Sequence, residues 1–592
     1  MADALASAGI GRGARVALVL PNGPQMASAF VGVAACATCA PLNPGYQAQE
    51  FRFYLEDVNA RAVVVQRREG GPVRQVAADL GLAVIEIDAD ASCAAGQFDV
   101  HAPAAGHRDS MDSPAPGDVA LVLHTSGTTA RPKIVALSHA NLLASARHIA
   151  GHLALGPADR CLNVMPLFHI HGLVAALLAP LASGGSVVCT PGFDEQRFFD
   201  WIAEFAPTWY TAVPTIHQRV LAHGALYRER APAHRFRFVR SSSSALPPRT
   251  FERLEALTGA PVIEAYGMTE ASHQMASNPL PPAPRKPGSV GVPAGAEIAL
   301  MDAHGQLLTP GGTGDTDNTG EIVIRGPGVT AGYEGNPQAN AASFVNGWFR
   351  TGDLGRLDAD GYLFINGRLK EIVNRGGEKV SPREVDEALL EHPAVAEAAA
   401  FAVPHASLGE DLAVAVALRA GRQADEAELR GFLFGRLAEY KIPSAIVFVD
   451  AIPKGDTGKV QRTTLHDKLG HLIARPFVAP GNDVERSLQA IFGEVLGCAA
   501  VGVHDNFFMR GGDSLKGTQV MSRIVAQHAI ELALPVLFRH PTVAALAVEV
   551  QARGLAARRR SADVQAEIDA LSDEEVTRLL AEEEARGAGS GG

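Results

Sequence analysis

The chain has 592 residues, of which 47% are hydrophobic and 20% charged, and its formal net charge is −12. This length exceeds what one hydrophobic core organises, so we expect roughly two to four domains. The negative charge argues against broad nucleic-acid binding, which depends on Lys and Arg, and no long uncharged apolar stretch or signal-peptide pattern is present, so we expect a cytoplasmic protein that does not bind membranes.

Apolar runs alternate with amphipathic segments through the first two thirds of the chain. The runs RVALVL, AVVVQ, LAVIEID, DVALVLHTS, SVVCT and APVIEAYG predict short buried strands. Helical patterns lie between several of them, so the sequence predicts an α/β domain with sheet layers. Cys36 and Cys39 form a CxxC within SAFVGVAACATCA, a run that predicts a buried helix, and we interpret them as two core thiols.

The rest of the chain changes character several times. Residues 309–320 predict a flexible turn, and EIVIRG, GYLFING and EIVNRGG predict a smaller β-rich sheet. An α+β pattern begins near residue 383. Further on, VERSLQAIFGEVLG predicts a helix, whose apolar stripe is Leu488, Ile491, Phe492, Val495 and Leu496. In the charged end of the chain, LSDEEVTRLLAEEE fits either a capped helix or a solvated tail.

The loop TSGTTARPK, residues 125–133, concentrates hydroxyl groups and a glycine before a lysine. Backbone amides and hydroxyls on such a turn can surround phosphate oxygens, and the lysine adds a positive charge. The loop does not match GxxxxGK[ST], the usual phosphate loop of ATPases. Taken alone, it is explained equally well as a plain Ser/Thr-rich turn.

Four further motifs follow this loop in order. They are YGMTE at 266–270, TGDLG at 351–355, GRLKEIVNRGGEKVSPREVD at 367–386 and KGDTGKVQR at 454–462. With them the chain resembles the acyl-adenylate-forming enzymes over roughly residues 1–470. PLNPGYQAQEFRFYL, PLFHIHGL, TWYTAVPTIHQ and EAYGMTEASHQMASNPL are similar to the oxalate–CoA ligases of that superfamily. DNFFMRGGDSLKGTQVMSRI, residues 505–524, resembles the phosphopantetheine attachment site of carrier proteins.

The resemblance implies a multidomain architecture. We expect a large α/β N-terminal adenylation domain at 1–367, lacking the family's first strand and helix, and a small α+β mobile C-terminal domain at 368–472. A linker at 473–483 and an all-α four-helix carrier domain at 484–556 would follow. We expect residues 557–592 to form a charged tail, either partly disordered or a docking helix.

The resemblance also implies ATP and Mg²⁺ as reactants and assigns the nucleotide site. Its ATP-binding residues would be Thr125, Ser126, Gly127, Thr128, Thr129, Lys133, Ser244, Tyr266, Asp353 and Arg368. Among them Tyr266 would stack on adenine, and Asp353 would accept hydrogen bonds from both ribose hydroxyls. The family loop usually has glycine where this chain has Ala130 and Ile134.

Catalysis would fall to Thr269, which touches the α-phosphate, to Glu270, which binds Mg²⁺, and to Lys459, which bridges the acid and the α-phosphate. The resemblance places the hinge between two half-reactions at Arg368 to Lys370. A turn with Gly376 and Gly377 would then admit the thin pantetheine arm.

Ser514 would carry that arm, 4'-phosphopantetheine, after modification by a phosphopantetheinyl transferase. The chain contains neither HHxxxDG nor GxSxG, so the acyl group would pass to a downstream condensing, reducing or releasing enzyme in trans.

The acid is expected to be small and polar. His169 stands where amino-acid-activating relatives have an aspartate, which argues against an amino acid. We predict that Ser242, Ser243, His217 and His273 line a narrow, donor-rich pocket that suits a dicarboxylate, although the two histidines could instead be core residues.

Three functions remain open at this point. The first is a loading module of a natural-product assembly line, which adenylates the acid and transfers it to its own carrier. The second is an oxalate–CoA ligase-like synthetase that releases free acyl-CoA. The third is an inactive scaffold, which the departures at Ala130 and Ile134 would explain.

Overall fold

The computed structural model describes residues 1–67, 71–89, 93–103, 113–125, 132–308, 319–405, 408–455, 460–473, 477–498, 501–512 and 514–569. The chain divides into two compact units, Met1–Lys370 and Glu371–Gly592. Most of the predicted turn at 309–320 and all of the LSDEEVTRLLAEEE segment lie outside the described residues. No helix in the described part of the chain is both long and apolar enough to span a membrane.

The first sheet of unit Met1–Lys370 is largely parallel. Its strands are β1 (Arg15–Val19), β2 (Thr38–Pro41), β3 (Ala62–Gln66), β4 (Ala83–Asp88), β5 (Asp99–His101), β6 (Val119–Thr125) and β7 (Lys133–Ser138). They pair in the order β5-β4-β3-β1-β2-β6-β7, with β5 and β7 antiparallel to their neighbours. The helices of this region are α1 (Ala2–Ser7), α2 (Pro24–Ala34), α3 (Ala48–Asp57), α4 (Pro72–Asp79) and α5 (His139–His152). The continuous apolar runs fit strands covered on both faces.

The predicted helix around Cys36 and Cys39 is wrong in its extent. Helix α2 ends at Ala34, and Cys39 lies on β2, because Thr38 to Pro41 pair with β1 and so complete the middle of the sheet. Both thiols are free; Cys39 is buried, as predicted, and Cys36 is half-buried.

The second sheet is parallel at one side and antiparallel at the other. Its strands are β8 (Arg160–Asn163), β9 (Ser186–Cys189), β10 (Trp209–Ala212), β11 (Phe238–Ser241), β12 (Val262–Met268), β13 (His273–Ser277) and β14 (Val292–Pro293). They pair in the order β14-β13-β12-β11-β10-β8-β9, and the direction reverses between β12 and β13. The helices around it are a π-helix (His171–Leu178), α6 (Ala179–Ala182), α7 (Arg197–Phe205), α8 (Pro214–Ala222), α9 (Gly224–Arg230) and α10 (Pro248–Thr258).

An antiparallel sheet completes this unit. Its strands are β15 (Glu297–Met301), β16 (Thr319–Arg325), β17 (Phe344–Val345), β18 (Trp348–Leu357) and β19 (Leu363–Arg368), with α11 (Pro337–Ser343) before β17. The order is β15-β16-β18-β17, and β19 pairs with β18. This pairing sets Asp353 directly opposite Arg368.

Unit Glu371–Gly592 begins with an α+β region, as predicted, which we call the small domain (371–473). Its strands are β20 (Val373–Arg375), β21 (Glu378–Val380), β22 (Val395–His405), β23 (Gly409–Leu418) and β24 (Ala445–Phe448). The order is β21-β20-β23-β22, with β24 parallel to β23. Its helices are α12 (Pro382–Leu390), α13 (Glu426–Phe434) and α14 (Leu465–Ile473).

The remainder of the unit is helical, as predicted, and we call it the carrier region (477–569). Its helices are α15 (Asp483–Leu496), α16 (Ser514–His528), α17 (Leu534–Arg539) and α18 (Val543–Asp569). The predicted stripe of α15 is confirmed, since Leu488, Ile491, Phe492 and Val495 are buried and Leu496 packs, partly buried, against the same core. Helix α18 extends beyond the predicted boundary at 556, as far as Asp569.

Candidate active site

Tyr266, near the end of β12, and Asp353, in the middle of β18, form a buried pair. The Tyr266 hydroxyl donates a hydrogen bond to the Asp353 carboxylate, and Arg368 Nε donates to Asp353 Oδ1 at 3.1 Å. Burial, reinforced by the negative charge of Asp353, raises the pKa of Tyr266, so this phenol stays neutral. Three residues predicted to hold one nucleotide are therefore in contact, with a carboxylate at their centre.

A second acidic group lies next to this pair along the chain. Glu270, in a 3₁₀ turn (Thr269–Ala271), accepts a 2.8 Å hydrogen bond from the Tyr333 hydroxyl. Lys133 Nζ lies 4.3 Å from the centre of the Tyr333 ring. Burial raises the pKa of Glu270, whereas the positive charges of Arg368 and Lys133 act in the opposite direction. The pKa of Glu270 therefore responds to Arg368 and Lys133, the two cations predicted to bind phosphate.

Tyr333 was missed by sequence reasoning because it stands outside every quoted motif. It lies 63 positions from Glu270, and only the folded chain places its ring between that carboxylate and Lys133.

The phosphate loop itself is described only at its two ends. Thr125 ends β6 and pairs with Lys133 at the start of β7, so the loop joins two adjacent antiparallel strands. Ser126, Gly127, Thr128 and Thr129 lie outside the described residues, as does Ala130. The strand pairing therefore holds the two ends of the loop beside each other.

Gly267 explains the glycine of the YGMTE motif. A Cβ atom at this position would lie 1.8 Å from the carbonyl oxygen of His273 on the neighbouring strand. No side chain fits without separating β12 from β13, so the motif needs glycine for a close approach of two backbones. That approach carries His273 toward the predicted acid pocket.

Two of the four predicted acid-binding residues, Ser243 and His273, belong to a buried polar cluster around His171. Its Nδ1 atom lies 3.1 Å from Ser243 Oγ, and its Nε2 atom lies 2.7 Å from Thr211 Oγ1. The His171 and His273 rings are 4.9 Å apart. His171 is fully buried at the start of the π-helix, an irregularity common at functional sites. Sequence reasoning selected His169 from the HIH motif and missed His171, although the same motif contains it.

Arg240 contributes a positive charge to this cluster and was also missed. It is fully buried on β11, donating to Thr211 Oγ1 at 3.3 Å and to Gln274 Oε1 at 3.0 Å. Within the described part of the chain, no carboxylate forms an ion pair with it, and its Nε atom has no hydrogen-bond partner. Burial lowers the pKa of Arg240 to about 9, so it remains a cation at neutral pH. The available signal was a lone arginine within a buried strand, FVRS.

The other two predicted pocket residues have partners within the protein. Ser242 donates to the carbonyl of Ala265 at 3.0 Å, and His217 Nδ1 lies 3.1 Å from the Tyr210 hydroxyl. Both are fully buried. Burial lowers the pKa of His217 to about 4, so it is neutral at physiological pH.

Several non-glycine residues beside the cluster adopt left-handed backbone conformations. The φ angles are +73° at Ser243, +50° at Ser272 and +101° at His273. Such conformations cost about 1–2 kcal/mol each for residues with a Cβ atom. Ser243 thus holds a strained position at which its hydroxyl reaches His171. Its neighbour Ser244, predicted to contact the nucleotide, is exposed and donates to the Ser243 carbonyl.

The predicted hinge and arm-binding residues lie around the boundary between the units. Lys370 is the last residue of the first unit. Gly376 and Gly377 form the turn between β20 and β21 with φ angles of +61° and +103°, which glycine alone adopts easily. Lys459 lies outside the described residues, whereas Lys454 pairs with Glu397 at 2.7 Å.

Ser514 is the first residue of α16, as the resemblance to carrier proteins implied. The glycines before it have structural roles. Gly511 has a φ of +93°, and a Cβ atom on Gly512 would lie 2.3 Å from the Phe507 ring. The GG pair is therefore required for the tight loop that leads into the helix.

The residues fit a magnesium ion held mainly by a nucleotide. In the described part of the chain, no three His, Cys, Asp or Glu side chains converge on one point. Mg²⁺ usually takes one or two protein carboxylates together with phosphate and water oxygens. Glu270, near Lys133, offers such a carboxylate.

Comparison with known proteins identifies each part of the chain. The profile described as AMP-binding enzyme matches residues 1–334, the AMP-binding enzyme C-terminal domain matches 384–459, and the phosphopantetheine attachment site matches 486–548. An oxalate–CoA ligase from Arabidopsis thaliana is 42% identical over 479 residues, covering 80% of this chain and 91% of the relative.

Two further matches extend the comparison. A sulfoacetate–CoA ligase from Cupriavidus necator is 40% identical over 466 residues, which cover 78% of this chain and 88% of the relative. Among solved structures, ATP-bound MatB from Rhodopseudomonas palustris superposes with a TM-score of 0.70 at 30% identity, covering 80% of this chain and 92% of that protein.

Proposed function

The chain belongs to the family of AMP-binding enzymes, and from this premise we propose that it adenylates a small dianionic acid and loads the acyl group onto its own carrier region. As an acid–thiol ligase of this family it uses ATP with Mg²⁺, and its carrier domain carries 4'-phosphopantetheine on a serine. The proposal concerns the acid, the acceptor and the residues that act.

Adenylation makes a poor acylating agent reactive. A carboxylate oxygen of the acid attacks the α-phosphorus of ATP, the bond from this phosphorus to the bridging oxygen breaks, and pyrophosphate leaves. Asp353 would accept hydrogen bonds from the ribose, and Lys133 would bind phosphate oxygens next to Glu270, the ligand we propose for Mg²⁺. Thr269 and Lys459 would contact the α-phosphate, and Lys459 would also offset the repulsion between the two anions.

Tyr266 would present its ring to adenine while its hydroxyl stays on Asp353. Arg368 would contact the ribose and phosphate from its place opposite Asp353. The hydroxyls and amides of Thr125, Ser126, Gly127, Thr128 and Thr129 would complete the phosphate site, with Ser244 at its border.

The acid is proposed from the charge of the buried cluster. Arg240 carries a positive charge that no described carboxylate neutralises, and a buried charge is costly unless it is paired. A second anionic group on the substrate would supply that partner. His171, Ser243 and His273 would add hydrogen bonds in a space suited to a short acid. The relatives named for oxalate and for sulfoacetate act on acids with two acidic groups, which supports this choice.

The acceptor is proposed from one observation: the phosphopantetheine attachment profile matches the same chain that carries the adenylation profiles. When bound at Ser514, the prosthetic group supplies a thiol on a flexible arm about 20 Å long, which raises its effective concentration to the millimolar range. A phosphopantetheinyl transferase is the implied partner. The loaded acyl group would then serve a downstream enzyme, as in an assembly line.

A second candidate, release of free acyl-CoA, is favoured by the relatives named as CoA ligases. One experiment separates the two. The full chain is converted to its holo form with a transferase, incubated with ATP, Mg²⁺, coenzyme A and a dianionic acid, and its intact mass is measured alongside the acyl-CoA in solution. Loading predicts an acyl mass on the protein that the Ser514→Ala variant lacks. Acyl-CoA in solution with an unmodified arm would favour the second candidate.

The acid itself is tested by acid-dependent exchange of pyrophosphate into ATP. We expect oxalate, malonate and similar short dianionic acids to support exchange, and long fatty acids and amino acids not to. Exchange with none of a broad acid panel would contradict the proposed adenylation.

A further inference from the structure

The carrier region and the small domain share an interface that we call the seam. On the small-domain side it consists of His405, Phe434 and Ser444, and on the carrier side of Asn506, Phe508, Met509 and Phe538. Both sides belong to the same compact unit. The seam is unlike a flexible tether, because it is formed by side chains that each region inserts into the other.

The aromatic part of the seam joins two hydrophobic cores. Phe434, the last residue of α13, packs against both the small-domain core and the carrier core. Its ring lies 5.7 Å from Phe538 of α17, which in turn stacks on Phe508 at 4.4 Å. In the opposite direction, Met509 of the carrier packs against the second core of the small domain. This exchange of apolar side chains makes the contact reciprocal.

The polar part of the seam fixes its geometry. His405 is buried, and its Nδ1 atom accepts a hydrogen bond from the Leu408 amide at 3.1 Å. Its Nε2 atom therefore carries the proton and donates to the Phe508 carbonyl at 2.7 Å. Asn506 donates to the carbonyl of buried Ser444, while its side-chain oxygen accepts from the Phe508 amide at 2.9 Å. Hydrogen bonds from both sides thus converge on the loop before Ser514.

The same contacts relate Ser514 to the glycine turn. Leu408 accepts a hydrogen bond from the Gly376 amide, and its side chain closely approaches Gly376. Gly376, Leu408, His405 and Phe508 therefore form one continuous series of contacts. From Phe508 the loop folds back on itself, with Gly511 donating to the Phe508 carbonyl at 3.0 Å, and leads directly to α16. The loop that precedes the attachment serine is therefore connected to the glycine turn through Leu408 and His405.

The seam is also incomplete. A cavity of about 340 Å³ lies along it, lined by groups from both sides, including Val447, His466, Ile473, Met509 and Arg510. Phe434 and Met509 remain partly exposed. An interface with such a gap is weaker than a continuous core and can open.

We propose that the carrier region docks on the small domain through the seam and that the two move as one body during the catalytic cycle. A rotation of the small domain would then carry the arm of Ser514 with it, which favours the chain's own carrier over acceptors in solution. Opening of the seam would release the carrier to a downstream enzyme. The docking itself is independent of the proposed function; only its kinetic consequence rests on it.

The docking is tested by hydrogen–deuterium exchange in the full chain. Phe434→Ala should raise the exchange rate about tenfold or more in peptides covering 401–405, 504–510 and 534–540, on both sides of the seam. Phe432→Ala is the matched control, because Phe432 lies on the same helix but contacts His392 and Arg436 of the small domain. Met509→Ala tests the seam from the carrier side and should accelerate exchange in 401–405 and 444–448.

Two results would overturn the docking: carrier peptides that exchange equally in Phe434→Ala, Phe432→Ala and the parent chain, or Met509→Ala with no effect on the small domain. A kinetic experiment compares the rate at which the holo carrier is acylated in Phe434→Ala and in the parent chain. Phe434→Ala should slow this step roughly tenfold without changing pyrophosphate exchange, because the carrier must then find its position by diffusion. If the parent chain loads no acyl group, the proposed function fails while the exchange measurement still decides the docking.

Discussion

Arg240 and Arg430 are both fully buried arginines, one in each compact unit, but their partners differ. Arg430 pairs with Glu426 at 2.6 Å and donates to the carbonyls of Pro443 and Ser444. Arg240 reaches only neutral groups, the Thr211 hydroxyl and the Gln274 amide oxygen, among the described residues.

The difference separates a structural from a functional use of the same side chain. A buried guanidinium with a carboxylate is neutralised within the fold, so its loss leaves stranded acceptors. A buried guanidinium surrounded by neutral dipoles keeps an unneutralised charge that an incoming anion can satisfy. In the proposed function, Arg240 would therefore be the residue that binds the second anionic group of the acid.

The largest expected effect follows from removing this charge. Arg240→Met should lower pyrophosphate exchange with dianionic acids by roughly 10²–10³, because a charge-assisted contact in a dry site contributes about 3–4 kcal/mol. Thermal stability should change little or rise, because a costly buried cation has been replaced by an apolar side chain. Exchange rates over an acid panel and a melting curve measure both.

A short monoanionic acid is the control for Arg240→Met. Its exchange should fall far less than that of a dianionic acid, because it offers no second charge to the guanidinium. Equal losses for both acids, together with a lower melting temperature, would show that Arg240 is structural like Arg430.

Replacing Arg430 should instead lower stability. Arg430→Met strands the carbonyls of Pro443 and Ser444 and removes the partner of Glu426, so unit Glu371–Gly592 should lose about 2–3 kcal/mol of unfolding free energy. Glu426 is partly exposed, which limits the loss. Chemical denaturation followed by peptide-level hydrogen exchange would localise it, and an unchanged midpoint would remove the basis of the comparison.

The two ends of the active site were not equally accessible from the sequence. Tyr266, Asp353 and Arg368 lie in short motifs whose order along the chain is specific, and the structure brings them into contact. The proposed acid end depends on Thr211, Arg240 and Gln274, which come from three strands and meet only through the sheet order β10-β11-β12-β13. No motif spacing encodes that meeting, so Arg240 and His171 were missed.

The fold, like the active site, was only partly predictable from local sequence. Short apolar runs located six strands of the two large sheets, β1, β3, β4, β6, β9 and β12, because that signal is local. The end of α2 was missed, because the run through Cys39 is apolar whether it forms a helix or a central strand, and only pairing with β1 and β6 decides. The seam could not be predicted either, since Phe434 and Met509 look like ordinary core residues of their own regions.

A medium-sized effect concerns the neutral histidine near Arg240. The pKa of His217 in the folded protein is about 4, below the ordinary value of 6.5, because burial disfavours its charged form. The unfolded chain therefore binds more protons between these values, and stability is complete above pH 6.5 and declines as the pH falls toward 4. From pH 7 to pH 5 this histidine should cost about 2 kcal/mol.

His217→Gln should flatten that decline, measured as melting temperature against pH for the variant and the parent chain. His139→Gln is a useful control, because burial lowers the pKa of His139 as well, but this residue is only half-buried. The slope of melting temperature against pH should therefore change less in His139→Gln than in His217→Gln. Parallel curves for the parent and His217→Gln would mean that His217 does not titrate on unfolding.

The smallest effect tests the strained serine that faces His171. Ser243→Gly relieves a left-handed φ of +73° but loses the contact with His171 Nδ1, so the two terms of about 1 kcal/mol each should nearly cancel. Ser243→Ala loses the hydroxyl and keeps the strain, so it should melt at a lower temperature than the glycine variant. If Ser243 lines the acid pocket as proposed, its Cβ atom narrows that pocket. Ser243→Gly should then improve exchange with acids one or two carbons longer by roughly tenfold relative to the parent chain, and Ser243→Ala should not. Equal melting temperatures would show that the backbone stores no strain there, and an unchanged acid preference would place Ser243 outside the pocket that Arg240 marks.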